Sequence, residues 1–499
     1  MKKTIKYLTI GLLLLIGSFS SCNDSFLEDA EVLNNLNGST FYSSPDDAVA
    51  AVTGAYTILQ SRDYYKVQIY ALEYALGDYA FTEGGFQYAN FENFQFDNTQ
   101  LEVRGLWDSS FLGIARANVV LERVPEIEFT DEKLKERILG EAHFLRGLYY
   151  FFLVKLYGDA PIIDKIVEGP SDPLYFPSRS PKEEVYAFIE ADLKAAIDLL
   201  PAKEDYADAD VGRATKGSAQ GYLGKVYLYQ EKFQEARDAF KKVIDGQVGN
   251  YALVPNYEDN FTDTNENNQE SLFEIQFVGG TGNVWAGDDT GEETESTYFG
   301  TLFGPGPQVF GNAYPSDDVN AMFDANPNDT IRRKYTVARP GDTWRSWDPV
   351  EIEDWNSRIP QAGGNSAIRK GNLGPDESLL QSGINWRLMR YADVLLMFAE
   401  AENEVSGPTA AAYAAINEVR ARAMVDPLTR GMSKDEFFNA IRMERRLELT
   451  FEVSRYFDLI RWGLGSEMPG FKVGKNELLP VPASALNSNP NLAPQNPGW

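Results

Sequence analysis

At 499 residues the chain is long enough for one to three domains, and its 43% hydrophobic content suffices for a sizeable packed core. Its 74 acidic against 46 basic residues, a net charge of −28, argue against a nucleic-acid partner and against electrostatic adhesion to an acidic membrane face. A single cysteine and a single histidine rule out an internal disulfide and any thiolate-cluster or multi-histidine metal site.

The first 21 residues read as a secretory signal peptide. Lys2, Lys3 and Lys6 precede the apolar run Leu8 to Ile16, which exits through Phe19-Ser20-Ser21-Cys22. That run is shorter than the roughly 20 residues a spanning helix needs. Cleavage before Cys22 would make the only cysteine the first residue, so Cys22 is the expected lipidation site; the alternative is an ordinary signal whose cysteine is incidental. Loss of the three lysines takes the net charge near −31. Residues 22–45 would then be a tether and entry segment, beginning with the polar, acidic Asn23-Asp24-Ser25-Phe26-Leu27-Glu28-Asp29.

Apolar residues at three- and four-residue spacing predict helices over 46–60, 104–124, 131–157, 181–200, 215–230 and 232–245. From about 246 to 384 the chain turns rich in Gly, Asn, Asp, Pro and Trp. Its patterned pieces there are short, such as Leu272 to Phe277, which alternates like a strand. Helices are predicted again over 385–405, 409–424 and 434–463, and the tail from Leu478 to Trp499 holds too much Pro and Asn to be regular. Leu223-Gly224-x-x-Tyr227 with Ala236 and Phe240 falls in register on the tetratricopeptide pattern, in which small residues let two antiparallel helices approach. Val248 stands where that pattern has proline, Ala196 and Pro201 give a fainter copy, and Ala412 with Ile416 a fainter one still. The expected fold is all-α: tetratricopeptide-like helical hairpins forming a right-handed scaffold, with a loop-rich excursion that carries a few short strands.

Several blocks resemble the SusD/RagB family of outer-membrane nutrient-binding lipoproteins. They are Glu141 to Tyr150 with Leu156-Tyr157-Gly158-Asp159-Ala160-Pro161, Arg390 to Ala401, and Glu444 to Leu449 with Arg455, Asp458, Leu459, Arg461 and Trp462. The ending Leu479-Pro480-Val481-Pro482, Asn489 to Leu492 and Gln495 to Trp499 is similar as well. The resemblance implies a single domain over 46–499, with a helical scaffold at 46–245 and 385–463, a ligand-face excursion at 246–384 and an extended tail at 464–499. It also implies an outer membrane lipoprotein facing the cell exterior, a glycan ligand, and a SusC-like TonB-dependent transporter as partner.

Most of the charged motif residues have a structural explanation. Arg445–Glu448, Glu452–Arg455, Arg455–Asp458 and Asp458–Arg461 are each three apart, so they are expected to pair along one helical face. His143, inside an apolar run, is expected to be a hydrogen-bonded scaffold residue, which leaves no Ser-His-Asp or Cys-His catalytic set. Acidic pairs such as Asp288-Asp289 and Asp317-Asp318 lack calcium-loop spacing, so no cofactor is expected, and a structural calcium ion is not readable from them.

Sugar rings stack on flat apolar platforms, and aromatics concentrate in the Gly-rich loops. An early cluster comprises Tyr79, Phe81, Phe86, Tyr88, Asn90, Phe91, Asn93, Phe94 and Phe96; Trp285, Tyr298 and Phe299 follow, then Trp344, Arg345, Trp347 and Trp355. The ligand-contact candidates are Trp285, Trp344, Trp347, Tyr88, Phe86, Asn90, Tyr298 and Arg345. The leading function is non-catalytic capture of an oligosaccharide or polysaccharide and its delivery to the transporter. The alternatives are a RagB-like peptide-uptake protein, a surface glycosidase using two carboxylates, and an assembly scaffold.

Overall fold

The computed structural model describes residues 42–66, 76–77, 80–81, 88–280, 295–297, 313–339, 342, 366–371, 382–452 and 454–499. Among them the α-helices run α1 Pro45–Tyr56, α2 Tyr88–Glu92, α3 Leu101–Arg123, α4 Glu132–Tyr157, α5 Lys182–Leu199, α6 Lys216–Tyr229 and α7 Phe233–Ile244. They continue as α8 Asp317–Ala325, α9 Thr330–Thr336, α10 Tyr391–Ser406, α11 Ala410–Arg422, α12 Lys434–Leu449, α13 Arg455–Arg461 and α14 Ala483–Ser488. Successive helices pack on one another: α3 on α4, α4 on α5, α5 on α6, α6 on α7, then α7 directly on α10, and α10 on α11 and α12. Residues 246–384 are thus inserted between two neighbours of the stack.

Local chemistry starts these helices where the spacing predicts. Ser44 with Asp47 and Ser433 with Glu436 form capping boxes, and Asp131 caps α4 by accepting from the Lys133 and Leu134 amides. Each such cap contributes about 1 kcal/mol. The small-residue argument for the α6–α7 hairpin holds, because a Cβ on Gly224 would lie 2.6 Å from the Phe240 ring, and Ala236 and Phe240 are wholly buried. Ala196, Ala412 and Ile416 are wholly buried too, and Pro201 follows the Leu200 cap of α5. In the same way Gly113 of α3 receives the ring of Tyr149, whose hydroxyl donates to the Ala55 carbonyl at 2.7 Å. One continuous apolar core extends from Ala48 to Leu492.

Three expectations change. The segment read as a helix over 385–405 starts with a strand, β6 (Trp386–Arg390), which pairs antiparallel with β2 (Ser271–Ile275), with Ile275 opposite Trp386. Every residue of β2 and all but one of β6 are buried, so β6 shows no alternation of buried and exposed residues. The helix expected over 434–463 breaks after Leu449, where Phe451 takes a left-handed φ of +66° and is buried. The tail contains α14 and a 3₁₀ turn at Pro490–Leu492.

The charged residues of α12 and α13 pair between helices more than along one face. Asp458–Arg461 forms as expected, at 2.8 Å, but Arg445 joins Asp393 (2.7 Å) to Asp458 (2.8 Å). Glu448 accepts from Arg390 at 2.9 Å and pairs with Arg422, while Glu452 meets Arg390 at 2.6 Å and Lys370 at 2.7 Å. Burial pushes the Glu448 carboxyl up, but Arg422, Arg390, Arg332 and Lys370 outweigh it and bring the pKa down to about 2. His143 Nδ1 lies 2.7 Å from Asp192 Oδ1, and Arg146 holds the same carboxylate with two contacts of 2.8 and 2.7 Å, so this histidine ties α4 to α5.

Candidate functional site

Short ladders gather the ends of the irregular segments. β1 (Ala80–Phe81) pairs antiparallel with β3 (Ala313–Tyr314), and β4 (Val337–Ala338) with β5 (Ala367–Ile368). Thr297 and Ser382 exchange two backbone hydrogen bonds of 2.9 Å. The β1–β3 ladder joins the early aromatic region to the middle excursion, the two regions expected to share a ligand face.

At the root of the excursion Asn385 acts as a hub. Its Oδ1 accepts the Phe277 amide at 2.7 Å, and its Nδ2 donates to Glu274 Oε2 at 3.1 Å and Gln276 Oε1 at 2.9 Å. Its own amide donates to Glu266 at 2.6 Å. Burial pushes the Glu266 carboxyl up to about 8; Glu274 and Asp263 add to the rise, and the Asn385 amide and Arg387 oppose it. Arg387 in turn lies 3.3 Å from Glu274 and donates to the carbonyls of Asn385 and Thr262.

Of the ligand-contact candidates, Tyr88 opens α2 and Asn90 is exposed on it. Trp285, Trp344, Trp347, Phe86, Tyr298 and Arg345 lie outside the described residues, as does Cys22. The rest of the early cluster divides. Phe91, Phe94 and Phe96 are buried, with Phe91 stacked on Phe96 at 4.5 Å and Phe94 edge-on to Phe471 at 5.3 Å. These three belong to the core, and their partners lie too far along the sequence for the local pattern to show it.

Two cavities next to the hub measure about 20 and 30 Å³, the first lined by Phe261, Trp386 and Phe451, the second by Tyr65, Lys155 and Arg387 among others. Each has room for about a water molecule and none for a sugar ring. An open groove of about 800 Å³ at the start of α4 and the end of α5 is lined mainly by charged residues, Arg137 and Asp210 paired among them, with Tyr206 as its aromatic. Among the described residues, neither cavity beside the hub offers a platform for a saccharide. Among the described residues no group of three His, Cys, Asp or Glu side chains is arranged to hold a metal ion. Asp318, in one of the acidic pairs, meets Arg446 instead.

Over 99% of its length the chain is 30% identical to the whole of SusD-like protein P2 of Formosa agariphila. The chain belongs to the SusD/RagB family. The SusD family model matches residues 227–470, and a second model, described as starch-binding associating with outer membrane, matches residues 30–228. Starch-binding protein SusD of Bacteroides thetaiotaomicron is 25% identical, with 74% of this chain and 73% of that one covered. A laminarin-binding SusD-like protein of known structure superposes with a TM-score of 0.77 at 28% identity, covering 92% of this chain and all of the other. The mostly helical scaffold with few short strands is the fold of this family. The Asn385 hub and the buried core of the early loop escape a sequence reading. Asn385 lies within a stretch read as helix, and its partners Glu266, Glu274 and Phe277 are more than a hundred residues away.

Proposed function

We propose that this SusD-family protein captures an oligosaccharide or polysaccharide at the cell surface without cleaving it and passes it to a SusC-like TonB-dependent transporter. The observation that carries the reading is the β1–β3 ladder, which brings the early aromatic loop to the aromatic-rich excursion. The starch-binding and laminarin-binding names of two relatives support a glycan as the ligand class. Trp285, Trp344, Trp347, Tyr88, Phe86 and Tyr298 would supply the platforms, and Asn90 and Arg345 the hydrogen bonds. Two or three platforms at about 0.5–1.5 kcal/mol each, with hydrogen bonds, correspond to affinities of about millimolar to micromolar. Such weak binding suits capture followed by release into a transporter. Lipid on Cys22, exposed by removal of residues 1–21, would hold the protein at the outer membrane, facing outward, with residues 46–499 acting as one domain.

At the root of the excursion, the neighbouring carboxylates Glu266 and Glu274 do not fit a glycosidase pair. A glycosidase needs a protonated acid and a second carboxylate free to face the sugar. Glu266 has the raised pKa of an acid, but its neighbour Glu274 is buried and held by Arg387, Asn267 and Asn385.

Calorimetry and affinity electrophoresis on laminarin and starch should show retention that Trp285→Ala and Trp344→Ala weaken. Binding of peptides with no glycan bound by the wild-type protein would move the substrate class to peptide uptake, and release of reducing ends would overturn the non-catalytic reading. Cys22→Ser should free the protein from the membrane without unfolding it.

A further inference from the structure

The loop that carries Tyr88 and Asn90 is held from the far end of the sequence. Its base is the trio Phe91, Phe94 and Phe96, with Phe94 in a left-handed conformation at φ +53°. The ring of Trp499 lies 5.0 Å from that of Phe96, and Phe96 is stacked on Phe91 of α2. Gly470 adds a second contact: a Cβ there would meet the Asn93 carbonyl oxygen at 2.8 Å.

Trp499 is itself firmly seated. Its indole Nε1–H donates to the Lys475 and Leu478 carbonyls at 3.1 and 3.0 Å, and the Lys475 ammonium sits 3.9 Å over its ring. Asn496, three residues earlier, donates to the carbonyls of Tyr157 at the end of α4 and of Leu479. The tail is thus anchored to the scaffold, and the indole presents a fixed surface to the loop. A loop ordered before its ligand arrives loses less freedom on binding, so the quality of this seat enters the affinity.

We infer that Trp499 is a positioning residue, whose seated indole sets the conformation of the loop at 88–96 and hence how Asn90 and its neighbours are presented to a ligand. The inference deepens the glycan-binding reading above and rests on it. It needs no contact between Trp499 and the ligand.

The test combines amide hydrogen exchange without ligand, and calorimetry with laminarin and with starch, on wild type, Trp499→Ala and Trp499→Phe. In Trp499→Ala the amides of Phe94 and Gln95, which donate to the Phe91 and Asn90 carbonyls, should exchange about tenfold faster while those of α10 are unchanged. Glycan affinity should fall about three- to tenfold, and Trp499→Phe, which keeps a ring against Phe96, should recover most of both. Phe96→Leu approaches the same contact from the loop side and should reproduce the pattern if Trp499→Ala folds poorly. Unchanged exchange over 88–96 in both variants overturns the inference, and so does a loosened loop with wild-type affinity. A wild-type protein that binds neither polysaccharide sinks the functional reading separately, because the exchange measurement uses no ligand.

Discussion

The helical stack and the root of the excursion bury polar groups in different ways. In the stack Arg390, Arg422 and Arg445 are buried among Glu448, Glu452, Asp393 and Asp458, full charges locked in pairs between elements. At the root, the side-chain amides of Asn385, Gln276 and Asn267 link two strands and a loop, with Glu266 held largely neutral. Charge networks are unforgiving, since removing one member strands the others in a low-dielectric interior. Amide linkages fail locally and at lower cost. The difference separates a part that must keep one geometry from a part that must carry loops.

The strongest way to break this contrast is Arg390→Met. It leaves Glu270, Glu448 and Glu452 buried without their shared partner and should cost about 3–5 kcal/mol in urea unfolding. A loss below about 1 kcal/mol would mean that the stack does not depend on its charge network. Gly113→Ala should follow at about 1–3 kcal/mol, because the new Cβ would lie 2.4 Å from a Tyr149 ring tethered through its hydroxyl. Asn385→Ala strands the buried Phe277 amide and should cost about 1–2 kcal/mol. Its exchange signature should be confined to residues 262–280 and 382–390, and spread into α10 would erase the distinction between stack and root.

The smallest effect concerns pH and has opposite signs in the two regions. Glu448 has a lowered pKa, so its stabilisation is present above its ordinary value of 4.5 and is lost as the pH falls toward about 2. Glu266 has a raised pKa, so its contribution is full below 4.5 and is lost as the pH rises through about 8. Acid should therefore weaken the stack, and a rise in pH from about 4.5 to about 8 the root. Melting curves between pH 5 and 9 should show a decline up to about pH 8 that Glu266→Gln removes; an unchanged decline would place its origin elsewhere.

What could be read from the sequence follows the range of the interactions. Helix starts were legible because their causes are local: Ser44 and Asp47, or Ser433 and Glu436, sit within one turn of each other. The hairpin at 223–240 was legible because its small and large residues recur at fixed spacing. The break at Phe451 has neither glycine nor proline to announce it; it lies where Glu452 reaches Lys370 and Arg390. Phe91, Phe94 and Phe96 look like surface platforms in a polar loop until Phe471 and Trp499 are placed beside them. The charges of α12 fitted a helical face equally well, because three-residue spacing carries no information about a partner on another helix.

The direct packing of α7 on α10 has a consequence for how such a molecule can change. Within the excursion between them the chain passes Gly279 and comes back at Gly383, so close that a Cβ on Gly383 would lie 2.5 Å from the Gly279 nitrogen. Everything between is an insertion with touching ends, and lengthening such a segment costs little, about 0.6 kcal/mol per doubling. The segment can therefore vary in length without disturbing the packing of α7 on α10. Arg332, Lys370 and Asp318 reach back from inside it to Glu444, Glu452 and Arg446, and are among the attachments that a transplant of the segment must carry with it.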